Sequence, residues 1–195
     1  MPSPIAHSVS GYALTHLPFV KARTFRGQLW PVTPLAALYG VFVSNLPDLD
    51  FVPQLLTGIR FHRGPSHSLV SALLVSGLLV WIVRRYRHSR PRSGRQPSYR
   101  VLFAFTFGLY GSHILLDLLT TGGSGLPLFW PLSPQTFQFP FPIFPSVHHS
   151  RGLWHSSHLV FISAELLYSV CLLGGLRFFR AATKTETAQH PSQEL

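Results

Sequence analysis

The sequence of 195 residues has the size of one domain, and only 11% of its residues are charged. A typical soluble domain carries about 25% charged residues, whereas 46% of this chain is apolar, so the composition argues against a soluble protein. The formal net charge is +10, but the basic residues cluster beside apolar segments, which favours membrane lipids over nucleic acid as partners.

The first segments of the chain combine apolar residues with isolated ionisable ones. Residues 4–20 form a short, weakly apolar segment that carries His7. Residues 32–56 are apolar, but Pro47 interrupts them because it lacks a backbone donor and disfavours helix at the residue before it. We therefore expect Asp48 and Asp50 to lie on an unwound or kinked stretch.

The middle of the chain contains the clearest membrane helix, residues 66–83, with Gly64 as its predicted N-cap and Pro65 in its first turn. Residues 84–100 carry seven arginines and are predicted to form a solvated basic loop. Residues 101–121 are a second apolar helix, interrupted only by His113 and Asp117.

The last third begins with residues 122–147, which are rich in Gly, Pro and Phe. This composition cannot form a spanning helix, but its aromatic side chains suit the membrane interface. Residues 159–179 are a last apolar helix, and residues 181–195 are predicted to be a disordered tail. The pattern predicts an all-α membrane bundle of about four to five helices in one domain, residues 1–180, with an extracytoplasmic Pro- and aromatic-rich loop.

The distribution of Lys and Arg predicts the topology, because cytoplasmic loops carry an excess of these residues. With residues 84–100 inside, the ends of several apolar segments meet at the extracytoplasmic face. The residues expected at that face are His7, Asp48, Asp50, His62, His67, His113, Asp117 and the histidines of 148–158.

The pair His113 and Asp117 has a spacing that brings both side chains to one face of a helix. Both can then bind one metal ion, or the carboxylate can orient the imidazole. The alternative is a buried hydrogen-bonded pair that joins two helices.

A second group, His62-Arg63-Gly64-Pro65-Ser66-His67, precedes the clearest membrane helix. Imidazole is the commonest metal ligand, so His62 and His67 are candidate ligands, while Arg63 can bind a substrate phosphate bidentately. The alternative is a polar interfacial cap without an ion.

The aspartates after Pro47 are assigned different roles, with Asp50 as a metal ligand and Asp48 as a catalytic base. A plain turn after the proline is the alternative for one of them. His158 and Glu165 are seven residues apart and can share a helix face, either as a further ligand pair or with Glu165 in a helix–helix hydrogen bond.

These motifs together resemble the YdjM-type family of inner-membrane proteins. The resemblance rests on Asn45-Leu46-Pro47-Asp48-Leu49-Asp50, on the segment from His62 to Ser68, and on Ser112-His113-Ile114-Leu115-Leu116-Asp117 followed by Thr120-Thr121-Gly122. It covers about residues 1–170.

The resemblance implies a metal-dependent hydrolase of the inner membrane, similar to zinc-dependent phospholipase C and P1 nuclease. It implies a divalent metal, Zn²⁺, and cleavage of a phosphoester. Because the predicted site opens at the membrane face, we expect a lipid or lipid-linked phosphoester as substrate. The implied ligands are His7, Asp50 or Asp48, His67, His113 and Asp117. The spacing of His158 and Glu165 departs from the His-x-x-x-Glu ligand pair of the phospholipases.

Two other functions are compatible with the sequence. One is a metal-free lipid-phosphate phosphatase with a histidine nucleophile, although no basic motif precedes His67 on the required side of the membrane. The other is a non-enzymatic transporter or structural protein with a His/Asp relay, which the absence of an evident internal repeat makes less favourable.

Overall fold

The computed structural model describes residues 3–17, 34–59, 62–89, 98–121, 123, 125–145 and 157–189. All regular elements within these ranges are helical. Four helical segments are long and apolar enough to cross a membrane: Pro34–Thr57, Leu69–His88, Tyr99–Leu118 and His158–Ala182. The predicted multi-pass helical bundle is thereby confirmed.

The first helix, α1, runs from Pro4 to Thr15. The Ser3 hydroxyl accepts a hydrogen bond from the backbone N–H of Ile5 and caps its N-terminus. A helix of 12 residues is about 18 Å long, which is too short for a hydrocarbon core of about 30 Å. It is instead a packing element of the bundle, held against the spanning helices.

The second helix, α2, runs from Pro34 to Asn45 and packs closely against α1. A Cβ added to Gly11 would lie 2.3 Å from the Ser44 hydroxyl and 2.4 Å from the Gly40 carbonyl oxygen. Small residues therefore let the two backbones approach, as is common between membrane helices.

The interruption predicted at Pro47 is present. Leu46–Asp50 forms a 3₁₀ segment, and the short helix α3 follows from Phe51 to Thr57. Pro47 lacks the N–H that a continuous α-helix would use, and the tighter turn carries both aspartates. Gly58, with φ of 69°, ends α3 in the left-handed conformation that glycine readily adopts.

The helix predicted over residues 66–83 differs from the one observed. Pro65–His67 forms a separate 3₁₀ turn, Ser68 is extended, and α4 runs from Leu69 to Ser89. Gly64 and Pro65 begin the 3₁₀ turn instead of the membrane helix. The physical reason is Ser68, whose hydroxyl accepts a hydrogen bond from the Ser71 N–H and caps α4.

Helix α4 continues through Arg84, Arg85 and Arg87, so the start of the predicted basic loop is helical. Residues 90–97 lie outside the described ranges. Helix α5 then runs from Tyr99 to Leu118, with Ser98 as its N-cap.

The last helix, α6, runs from Ser157 to Gln189 and extends beyond the predicted end at residue 179. It therefore includes the first part of the segment predicted to be a disordered tail. Ala181, Ala182, Lys184 and Glu186 all favour helix, which accounts for the extension.

The helices pack in an order that leaves broad apolar surfaces outside. Helix α1 contacts α2, α5 and α6, while α5 also contacts α2 and α4. The buried core contains Val43, Ala72, Leu109, Tyr110 and Ile114. Many large side chains of the spanning helices are exposed, including Leu74 and Val170, as expected for helices that face lipid.

Candidate metal centre

Seven ionisable residues that the sequence analysis singled out meet in one place. They come from α1, the 3₁₀ segment Leu46–Asp50, the loop before Pro65, the turn Pro65–His67 and the end of α5. We call them the His/Asp cluster, and its members are His7, Asp48, Asp50, His62, His67, His113 and Asp117. Two sets within it can each hold a metal ion by the proximity of their ligand atoms: His7, His113 and Asp117, and Asp48, His62 and His67.

His113 is fixed in the form that binds a metal. Its Nδ1 lies 2.7 Å from the backbone oxygen of Ser44. A carbonyl oxygen can only accept, so Nδ1 carries the proton and Nε2 presents its lone pair to the cluster. The Ser44 hydroxyl in turn donates to the His7 carbonyl oxygen at 2.8 Å, which links α1, α2 and α5 behind the cluster.

Asp50 holds two imidazoles in place. His62 Nδ1 donates to Asp50 Oδ1 at 2.7 Å, and His67 Nδ1 lies 3.3 Å from Asp50 Oδ2. The Ser66 hydroxyl donates to the same Oδ2 at 2.5 Å. A carboxylate behind a histidine is the usual arrangement around metal-bound imidazoles, because it fixes the ring and raises its basicity.

Four distances between candidate ligand atoms are close to those between ligands of one small cation. In a tetrahedral site, bonds of about 2.0–2.2 Å to nitrogen and oxygen place neighbouring ligand atoms about 3.3–3.6 Å apart. His113 Nε2 lies 3.2 Å from His67 Nε2 and 3.3 Å from Asp48 Oδ1. His67 Nε2 lies 3.6 Å from Asp48 Oδ1 and 3.4 Å from Asp117 Oδ2.

Several buried atoms of the cluster lack hydrogen-bond partners among the described residues. They are both ring nitrogens of His7, Oδ1 of Asp48 and both carboxylate oxygens of Asp117. The side chains of His7 and Asp117 are fully buried, and His7 Nε2 lies 3.7 Å from Asp117 Oδ1. A buried polar atom without a partner is costly, so this donor set of nitrogen and oxygen atoms fits a bound divalent cation.

Arg63 contacts the cluster from the side of Asp117. Its Nε lies 3.4 Å from Asp117 Oδ2, and its Nη2 donates to the Asp117 backbone oxygen at 3.1 Å. The backbone of Arg63 has φ of 61°, a conformation that costs a non-glycine residue about 1–2 kcal/mol. Strain of this kind is found at functional sites.

The cluster attracts positive charge. Burial lowers the pKa of His67, but the nearby carboxylates of Asp117, Asp48 and Asp50 outweigh burial and hold the pKa well above its usual value. Three carboxylates around one imidazole therefore favour a cation at this position.

The remaining candidate residues are placed differently. His148, His149 and His155 lie outside the described residues. Glu165 on α6 is buried and accepts hydrogen bonds from the backbone N–H and the hydroxyl of Ser3, so it joins α6 to α1 and is not part of the cluster. Neither metal-competent set within the described ranges contains His158.

Sequence reasoning missed the role of Ser44. Its carbonyl and hydroxyl groups connect His113 and His7. A serine among apolar residues two positions before the Leu46–Asp50 segment is the only signal, and it does not indicate which groups it binds.

The helices and the buried cluster define a multi-pass membrane protein with a metal-competent His/Asp site. The chain belongs to the YdjM inner membrane protein family, whose model matches residues 1–183.

A curated relative supports this assignment. The chain is similar to the inner membrane protein YbcI of Escherichia coli (strain K12), at 35% identity over 117 residues. The similar region covers 57% of this chain and 62% of YbcI. No solved structure matches the chain.

Proposed function

We propose that this protein is a membrane-embedded metal-dependent hydrolase that cleaves a phosphoester of a lipid or lipid-linked substrate. The observation that carries the proposal is the convergence of unpartnered, buried ligand atoms of His7, Asp48 and Asp117. They lie beside two imidazoles, His67 and His113, whose Nε2 atoms face the same space.

The proposed ligands are His7, Asp48, His67, His113 and Asp117, with Zn²⁺ as the preferred ion. Nitrogen and carboxylate ligands are typical of zinc, and the five residues fall into both of the metal-competent sets. The sequence analysis assigned Asp50 as the metal ligand, but the contacts favour Asp48 in that role. Asp48 Oδ1 points toward His67 and His113, whereas the oxygens of Asp50 are engaged by His62 and Ser66.

A Zn²⁺ ion held by these residues would lower the pKa of a water bound to it to about 7 and would polarise a phosphoryl oxygen. Asp50 orients the His62 ring through its Nδ1, and we assign this imidazole at the edge of the cluster the role of general base toward the attacking water. Arg63 neutralises the anionic substrate beside Asp117. The side chains of Asp48, His62, Arg63 and Asp50 are 16%, 15%, 12% and 11% exposed, whereas His67, His113 and His7 are buried. The first four therefore form the mouth of the His/Asp cluster.

The position of the mouth along the chain supports an amphiphilic substrate. Asp48 and Asp50 fall within one apolar segment, and Asp117 lies near the end of another. An amphiphile can present its phosphate at this level while its acyl chains remain in the bilayer. The positive-inside rule assigns this end of the bundle to the extracytoplasmic side of the inner membrane.

A hydrolysis screen with lipid phosphates in nanodiscs tests the proposal. We expect that chelation removes the activity and that added zinc restores it. His62→Gln is expected to lower the activity about 10²–10⁴-fold without loss of metal, because the substitution removes only a general base. Activity that survives complete chelation would support the metal-free phosphatase instead. Metal release across the bilayer without hydrolysis would support a transporter.

A further inference from the structure

The segment 125–145 carries several large apolar side chains that are exposed. Its exposed large residues are Phe129, Trp130, Leu132, Phe139, Phe141 and Ile143, and Leu132 and Phe141 are 83% and 77% exposed. No Asp, Glu, Lys, Arg or His occurs between residues 125 and 145. Isolated exposed apolar residues need no explanation, but an uncharged group of this size marks an interaction surface.

The segment is held firmly to the ends of two membrane helices. The Leu69 N–H at the start of α4 donates to the Leu128 oxygen at 2.9 Å, and the Ile143 N–H donates to the Leu119 oxygen just after α5 at 2.7 Å. Leu126 and Phe137 exchange two backbone hydrogen bonds of 2.8 Å. These attachments fix the segment at the level where α4 begins and α5 ends.

The composition of the segment suits the headgroup boundary of a lipid bilayer. Its prolines lack the N–H that would need a partner away from water; they are Pro127, Pro131, Pro134, Pro140, Pro142 and Pro145. Its apolar residues form two groups, 129–132 and 139–143. The intervening stretch 133–138 contains the polar residues, among them the exposed Gln135.

We propose that segment 125–145 is a membrane-seated platform whose two apolar groups insert into the lipid leaflet beside the His/Asp cluster. The partner is the lipid surface itself. Trp side chains are favoured at the headgroup level. In interfacial amphipathic helices the apolar face, which carries Trp, Phe and Leu, lies about 5–10 Å into the headgroup–acyl boundary, and we expect the same depth here. The chain just before the platform reaches the mouth, because a Cβ at Gly123 would lie 2.8 Å from Nη1 of Arg63. This surface does not depend on the proposed hydrolase activity.

Spin labelling tests the platform directly, since Cys171 is the single cysteine of the chain. In a Cys171→Ala background reconstituted in phosphatidylcholine and phosphatidylglycerol nanodiscs, labels are placed at Phe141→Cys and, as the matched control, at Gln135→Cys. We expect oxygen to relax the label at 141 more than a water-soluble nickel complex does, with a depth of about 5–10 Å. The label at 135 is expected to show the opposite preference.

Equal accessibility of both labels to the nickel complex would overturn the proposal. Protection of the label at 141 from both reagents, with spin–spin broadening, would also contradict it and indicate a second copy of the chain. Leu132→Cys provides the same measurement on the other apolar group if the Phe141 variant does not fold.

Discussion

At the scale of single residues, the two aspartates after Pro47 illustrate how contacts divide similar side chains between roles. Asp50 accepts hydrogen bonds from His62 and Ser66 and lies behind His67. Asp48 Oδ1 has no hydrogen-bond partner among the described residues. Their spacing in the sequence indicates two acids near one site, but only the tertiary contacts distinguish a carboxylate that orients imidazoles from one whose oxygen could serve as a ligand.

Asp50→Asn is expected to weaken zinc binding about 10–100-fold while leaving the stoichiometry unchanged, as is typical for a residue that orients ligands. Asp48→Asn is the matched comparison and is expected to reduce the stoichiometry itself. Competition titration with a chromophoric chelator measures both quantities. Equal effects of the two variants would contradict the assignment.

At the scale of elements, the short helix α1 depends on its neighbours for its position. Helix α6 contacts it at both ends: Glu165 binds Ser3 at the N-terminus, and Arg180 donates to the His16 oxygen at 3.0 Å at the C-terminus. The acidic side chain lies at the positive end of the α1 dipole and the basic side chain lies at its negative end, so both contacts are electrostatically favourable. Between them, the Ser10 and Tyr168 hydroxyl groups lie 2.7 Å apart. Helix α6 thus fixes the register of α1 and the position of His7.

Glu165→Ala is expected to reduce the protection of α1 against amide hydrogen exchange. It removes the acceptor for Ser3, and the loss of a helix-terminal contact of this kind costs about 1 kcal/mol. Residues of α5 serve as the internal reference, because their exchange should not change. Unaltered exchange throughout residues 4–15 would show that Glu165 does not hold this helix.

The contact between α1 and α2 leads to a second prediction at this scale. Gly11→Ala places a methyl group 2.4 Å from the Gly40 oxygen, so the helices must separate, at a cost of about 1–3 kcal/mol. Gly108→Ala is the control, since its added Cβ meets no atom of the described residues within 4 Å apart from its chain neighbours and the backbone of its own helix. Thermal unfolding in detergent should show a lower midpoint for the first variant only. Similar midpoints for both would contradict the packing.

At the scale of the whole molecule, the sequence predicts those features that depend only on the residues of one segment. The apolar runs predict the spanning helices in this way, and Pro47 predicts the interruption of the helix that contains it. Other features depend on competing local signals or on long-range contacts. The predicted start of α4 was wrong because the Ser68 side chain, and not Gly64, caps the helix. The contacts of Arg180 with His16 and of Ser44 with His113 could not be predicted because they join residues far apart in sequence.

The orientation of the bundle is testable with a membrane-impermeant maleimide and the Cys171→Ala background. Gln135→Cys is expected to react in intact cells because segment 125–145 is assigned to the extracytoplasmic side. His88→Cys, at the other end of α4, is expected to react only after lysis. The reverse pattern would place the His/Asp cluster on the cytoplasmic side.

The central claim is that the His/Asp cluster binds a metal ion. Elemental analysis of the purified protein tests it most directly, with His113→Ala as the cluster variant and His16→Ala as the control. His16 is also largely buried, but its ring binds the Tyr12 oxygen away from the cluster. We predict stoichiometric zinc in the wild type and in His16→Ala, and its loss in His113→Ala. Wild-type protein that takes up no divalent metal, or equal metal content in all three proteins, would contradict the account.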